Sequence, residues 1–251
     1  MSLLAEDEPA PAELLRAEGA AKFLLTADHA GREIPRSLAD LGVNAAELVR
    51  HIAWDIGIAG VTRRLSALLD APAVLQRYSR LVIDCNRPAH VASAFPEKSE
   101  ATAIPGNAKL DDAAKAARRA AIFAPYHAAI GQVIAAKAKP VYVAMHSFTP
   151  VYLGEARPMH VAVLYNRNPR FSRALAGLLR EEAGLVVAEN APYRVTDETD
   201  YGVPVHAERR GLDYTEIEIR QDLIHDEAGQ AEWAVRLARL LPLAAERLGT
   251  A

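Results

Sequence analysis

The chain has 251 residues, of which 51% are hydrophobic and 24% charged, enough to bury one sizeable α/β domain and short for two independent ones. A formal charge of -3 without a basic stripe excludes the electrostatic footprint of a nucleic-acid binder, and leaves any small anionic substrate to be captured by individual arginines. The one cysteine, Cys85, rules out an intramolecular disulfide and a cysteine-based zinc site, and reads as a small buried apolar residue.

Residues 1–21 form a polar, acidic lead-in to a domain predicted over 22–251. The lead-in lacks the basic start and apolar run of a signal peptide. No apolar stretch reaches about 18 residues, so no membrane helix is predicted and a cytoplasmic location is expected. Phe23–Ala27 is the first predicted strand, ending at Asp28-His29. Helical periodicity follows over Ala45–Leu69 and includes His51 and Trp54-Asp55. Ala73–Leu75 and Leu81–Ile83 read as short strands, the second running into Asp84-Cys85-Asn86-Arg87.

His90–Lys109, with Pro96 and Pro105-Gly106, reads as a long loop of the sort that often serves as a lid. Leu110–Lys137 is a predicted helix, opened by Asp111-Asp112 and closed by Lys137, as the helix dipole favours. Val141–Met145 is a buried strand that ends at His146-Ser147. His160–Tyr165, Leu185–Ala188 and Tyr214–Arg220 supply further strands, with helices over Arg170–Glu182 and Ala228–Arg247. Strands alternating with helices of this length predict a single-domain α/β fold, a mixed, mostly parallel sheet covered on both faces.

Two histidines, His29 and His146, each follow a predicted buried strand, and open α/β sheets gather ligands at the carboxyl ends of their strands. Either alone could simply bond a backbone group. Together they suit one metal ion. A catalytic zinc site takes three protein ligands and leaves a position for water, and two carboxylates compete for the third place. Asp55 sits among apolar neighbours, whereas Glu33 lies on the same short segment as His29 but also reads as a first-turn helix charge.

In Tyr214–Arg220 alternation puts Glu216, Glu218 and Arg220 on one face. A doubly covered strand should be apolar on both faces, so the strand either lines a pocket and carries a general base or lies at an edge facing water. Arg77, Arg80 and Arg87, with Asn86, form a candidate anion clamp, because guanidinium groups take carboxylates bidentately. No nucleophile elbow surrounds Ser147 and no glycine-rich phosphate loop is present.

Five blocks in series resemble the N-formylglutamate amidohydrolase family: Asp28 to Pro35, His51 to Gly57, Arg77 to Arg87, His146-Ser147, and Glu216 to Leu223. The resemblance runs from about residue 22 to 240 and implies a fold similar to the zinc carboxypeptidases. It implies hydrolysis of an N-acyl amide beside a carboxylate, with one zinc ion per chain held by His29, Asp55 and His146. Glu33 stands one residue farther from His29 than the carboxypeptidase pattern has it, and the family block around Trp54-Asp55 favours Asp55.

Glu218-Ile219-Arg220 is similar to the strand that carries the general base, and Asn86-Arg87 to the pair that binds a substrate carboxylate, with Arg80 assisting. Tyr201 and His206 are expected in the pocket wall, against the oxyanion. Where the histidine-degradation enzymes of the family have a Trp-His pair this chain has Trp54-Asp55, which implies a related branch and leaves the acyl group open. Two other readings compete: a metallocarboxypeptidase or aminoacylase acting on a different N-acyl amino acid, and a small-carboxylate-binding protein without turnover.

Overall fold

A computed structural model describes residues 2–249; residues 1, 250 and 251, the outer ends of the expected lead-in and domain, lie outside the described residues. In chain order the elements are β1 (Ala12–Leu15), β2 (Phe23–Ala27), α1 (Ala45–Leu48), α2 (Ile58–Leu69), β3 (Ala73–Gln76), β4 (Lys98–Ser99), β5 (Thr102–Ala103), α3 (Asp112–Arg118), α4 (Ala124–Ala136), β6 (Val141–Phe148), β7 (Val151–Tyr152), β8 (Glu155–Ala156), β9 (Val161–Leu164), α5 (Arg170–Glu181), β10 (Val187–Glu189), β11 (Tyr214–Arg220) and α6 (Glu227–Arg247). Seven strands form one sheet in the order β1-β3-β2-β6-β11-β9-β10. Its middle, β3 to β11, is parallel throughout, while β1 on β3 and β9 on β11 are antiparallel. This is the mixed, mostly parallel sheet the alternation of elements predicts.

Alternation along the central strands divides the core in two. Leu25, Val143, Met145, Ile217 and Ile219 pack with Leu65, Leu175 and Leu237 from α2, α5 and α6. Leu24, Tyr142, Ala144 and Tyr214 face the other way, onto Ile122, Tyr126 and Ile130 of the α3–α4 region. Both faces are therefore closed, and the parallel strands are apolar on both sides over most of their length. The lead-in contributes β1, an edge strand, so ordered structure begins before the predicted domain boundary.

Three segments depart from the sequence reading for identifiable reasons. The helix predicted over 45–69 is broken between α1 and α2. There Gly57 takes φ +82°, and a Cβ on it would stand 2.0 Å from the Ile224 carbonyl oxygen, so the backbone turns where a side chain could not fit. Leu81–Ile83 is buried but forms no strand. Its backbone groups are bonded by side chains instead: the Leu81 N–H by Ser79, the Leu81 carbonyl by Asn107 and the Val82 carbonyl by buried Arg118. The helix predicted over 110–137 is continuous in space but widens into a π-helical stretch over Arg119–Phe123, just before Pro125, which has no N–H to donate to the preceding turn. Its start is capped by Asp111, which accepts from the Ala114 N–H at 2.7 Å.

Candidate active site

Neighbouring β2, β6 and β11 run parallel and end at one edge of the sheet. His146 on β6 lies directly opposite Glu218 on β11. Both share the parity of Tyr142, Ala144 and Tyr214, which pack on the α4 face, so both project to that side where the apolar cover gives out. Asp28 and His29 follow β2 on the neighbouring strand. Asp55 comes from the turn broken open by Gly57, and its N–H donates to the His29 carbonyl at 2.9 Å. The break in the predicted helix is thus what delivers the carboxylate.

His29, Asp55 and His146 are buried, and one ligand atom from each lies within 4.8 Å of the others. Asp55 Oδ2 stands 3.1 Å from His146 Nδ1 and accepts from the Ser147 N–H at 3.1 Å, while Asp55 Oδ1 lies 3.5 Å from His29 Nδ1. Behind the cluster His29 Nε2 meets Asp84 Oδ1 at 2.8 Å. His29 Nδ1 and His146 Nε2 are buried without a hydrogen-bond partner. Unpartnered buried imidazole nitrogens beside a carboxylate fit a divalent ion that takes nitrogen and oxygen ligands, and the Asp84 contact is the outer carboxylate that commonly fixes a ligating histidine. The cluster could hold a metal. Glu33 is exposed, pairs its backbone with Tyr78, and lines a different cavity beside Arg77, away from the cluster.

The electrostatics follow from burial set against charge. Burial works against a charged His29, as does Arg80, yet Asp84 and Asp55 outweigh them and raise its pKa above the ordinary value. His146 is likewise opposed by burial and raised by Glu216, Asp55 and Glu218. Asp55, despite the cost of burial, is driven far below the carboxylate range by the two imidazoles. For Glu218 burial dominates and lifts its carboxyl up to about 7, against the pull of His146. Burial raises Glu216 well above its usual value.

A cavity of about 510 Å³ opens over this cluster, lined by His29, Asp55, His146, Glu216 and Glu218 on its floor and by Arg80, Asn86 and Arg87 at its side. The residues of the predicted clamp are held in different ways. Arg80 bridges Asp84 at 2.8 Å and Asp55 at 3.4 Å, holding two carboxylates of the cluster. Asn86 is a brace: its Nδ2 donates to Asp200 at 3.2 Å, and its Oδ1 accepts from the N–H groups of Tyr201 and Gly202 at 3.1 and 3.0 Å. Arg87 donates to the carbonyls of Asn86 and Thr199, lies 3.9 Å from Asp200 and lines the cavity.

Tyr201 and His206, expected in the wall, do not line this cavity. They pack behind it: Tyr201 edges Phe123 and tilts against His127, and His206 Nε2 meets His127 Nδ1 at 2.9 Å. The segment predicted as a loop here is a π-helical turn over Gly202–Ala207, entered at Tyr201. Asn86 accepts from the N–H groups at its start, and both rings pack against His127 of α4. Sequence reasoning missed Arg194, Tyr193, His51 and Glu100, all of which line the cavity. Arg194 has no ion-pair or hydrogen-bond partner among the described residues. Its one available signal was an arginine in the polar run ahead of Asp200.

The family model for N-formylglutamate amidohydrolase matches residues 21–225. The crystal structure of an Agrobacterium tumefaciens gene product is similar to the chain with a TM-score of 0.94 and 39% identity, over 98% of this chain and 99% of that one. An N-formylglutamate amidohydrolase from Ralstonia eutropha shares the fold with a TM-score of 0.69 at 22% identity, over 96% of this chain and all (100%) of its own. No curated protein matches. No helix among the described residues is long and apolar enough to cross a membrane. By the extent of the family match, the chain belongs to the N-formylglutamate amidohydrolase family.

Proposed function

We propose that the protein hydrolyses the amide bond of an N-acyl amino acid, with one zinc ion held by His29, Asp55 and His146. The observation that carries the reading is the convergence beneath a cavity of the Asp55 carboxylate and two buried histidines, each with one unpartnered nitrogen, with Glu218 directly across from His146. Bound there, zinc supplies Lewis acidity toward a carbonyl and acidifies a water.

The rest belongs to the chain. Glu218 accepts the water's proton and returns it to the leaving nitrogen, a role that suits a carboxyl whose pKa burial has brought to about 7. Asp84 and Arg80 orient the ligand side chains, Asp84 through His29 Nε2 and Arg80 by bridging Asp55 to Asp84. Arg87 binds the substrate carboxylate, and Asn86 keeps Arg87 and the 199–202 loop in place. The partner is a small anionic N-acyl amino acid. Metal analysis together with amine release from N-formyl, N-acetyl and dipeptide substrates tests the reading: about one zinc per chain and metal-dependent turnover are expected. Carboxylate binding by a metal-free, inactive protein would replace it with a binding role.

A further inference from the structure

A second cavity, of about 460 Å³, adjoins the first and shares His51, Glu100 and Thr149 with it. Its lining includes Ile56, next in sequence to Asp55, and Thr149 and Val151, just past the end of the strand that carries His146. None of the cavity-lining arginines 80, 87 and 194 reaches it. Its charged groups are already mutually satisfied, since Arg50 pairs with Glu47 and Glu100, and Glu100 also meets His51 at 3.0 Å. The remaining lining is uncharged and includes Val49, Val151 and Leu153, which are 51%, 51% and 73% exposed.

Leu153 stands out for a second reason. It and Gly154 form the two-residue loop of the β7–β8 hairpin, with φ of 49° and 87°. A loop with two positive φ angles favours Asn-Gly, and leucine gains nothing there for the backbone. Leucine at this tip gives the fold neither turn geometry nor core burial; what it does supply is apolar surface to the second cavity, together with Val49 and Val151. The hairpin is also fixed in place. Arg157 at its foot donates to the Tyr193 hydroxyl at 2.9 Å and lies 4.7 Å over the Tyr152 ring and 5.0 Å over the Tyr193 ring. Tyr152 and Tyr193 line the first cavity, so the hairpin is a standing wall between the two chambers.

From this we infer that the second chamber receives the acyl group of the substrate, and that this group is an apolar chain of several carbons rather than formyl. The inference rests on the N-acyl amino acid reading above. An amide has two ends. The arginines take the carboxylate end, and the chamber beyond the ligands, with no free charge and an apolar rim, is left for the acyl end. A formyl group, a single carbon, would leave that chamber and Leu153 without a contact.

The test is a series of N-formyl-, N-acetyl-, N-hexanoyl- and N-octanoyl-L-glutamate, offered to the zinc-loaded full chain with amine release as the readout. A buried methylene is worth roughly fourfold, so kcat/KM for the hexanoyl compound should exceed that for the formyl compound by at least about tenfold. A preference for formyl would overturn the inference while leaving the amidohydrolase reading intact. If no member were hydrolysed, that reading would fail, and calorimetric binding would still judge the chamber: tighter binding of the hexanoyl than of the formyl compound supports it, equal binding overturns it. Leu153→Asn suits the turn better than leucine, so its fold should survive with an unchanged or higher Tm, and the hexanoyl-to-formyl preference should fall several-fold. An unchanged preference in both Leu153→Asn and Val151→Ser, or a dimer dissociated by Leu153→Asn, would assign the tip to another use and overturn the inference.

Discussion

Two pairs of buried histidines stand on the same face of the sheet and have opposite chemistry. His29 and His146 lie with ring centroids 5.1 Å apart and are surrounded by Asp28, Asp55 and Asp84. Their pKa values are raised against the pull of burial, and each keeps one nitrogen unpartnered. His127 and His206, also 5.1 Å apart but stacked, bond each other, and His127 also meets the Cys85 carbonyl. His206 Nδ1 too is buried without a partner, so the unpartnered nitrogen alone does not separate the pairs and the carboxylates do. Burial, with no carboxylate to oppose it, drives His127 well below the ordinary value and His206 down to about 4. A buried imidazole is suited to a metal ion when carboxylates accompany it, and to packing when its neighbours are rings and a carbonyl.

The largest expected effects separate these pairs outright. Replacing His29 and His146 together by alanine should reduce zinc from about one per chain to background, because two of three ligands go. His206→Gln should keep the full metal content. Equal loss in both variants, measured by metal analysis after gel filtration, would erase the distinction. Glu218→Gln should lower kcat by roughly 100-fold or more while metal and carboxylate binding persist, since it removes only the proton acceptor. Glu216→Gln should be far milder. If the order were reversed, the base would stand one pleat deeper on β11.

The sequence made the proposed ligands legible through position. His29 and His146 end buried strands, and the alternation in Tyr214–Arg220 put Glu216 and Glu218 on one face, the face that lines the cavity. What it concealed was the turn that presents Asp55. Helical periodicity ran through 45–69 because Ile52, Ala53 and Ile58 are buried whether or not the backbone between them is helical. Leu81–Ile83 misled in the same way: burial was read correctly and strand pairing was not, since side chains from distant residues bond that backbone. His206 reads as a wall residue from its polar segment, whereas that segment coils into a π-helical turn and the ring meets His127 in the core. Tertiary hydrogen bonds of this kind leave no local pattern.

A smaller effect is expected one contact behind the proposed metal site. Asp84 fixes His29 through Nε2 and is held by Arg80. Asp84→Asn keeps the shape but weakens the orienting bond and removes its charge, so zinc affinity should fall by about 10- to 100-fold, the usual cost of losing such an outer partner. Competition with a chelator of known affinity measures it. An unchanged affinity would mean that Arg80 and Asp55 alone set the ligand geometry.

The smallest effect is on stability, and its sign is what discriminates the two pairs. In chelated, metal-free protein, His29 and His146 carry raised pKa values. Their contribution is therefore fully present below the unfolded value of 6.5 and is lost as pH rises through their folded values. His127 and His206 are depressed, so the unfolded chain takes protons that the folded chain refuses. Their contribution is present above 6.5 and drains away as pH falls, for His206 until about 4. The span from 6.5 to about 4 corresponds to at most about 3 kcal/mol for His206. Carboxyls with raised pKa values, Glu216, Glu218 and Asp200, act in the opposite sense over the acid range, so the wild-type curve alone cannot isolate the histidines. The difference between wild type and His206→Gln can. Denaturant unfolding at pH 7.5 and 5.0 should show the wild type losing more stability on acidification than the variant, whereas His29→Gln should lose more than the wild type. Zinc should abolish the second contrast, because ligating imidazoles must be neutral. Slopes of the same sign for both variants would show that the carboxylates around His29 do not govern its charge, and the electrostatic distinction between the two pairs would fall with them.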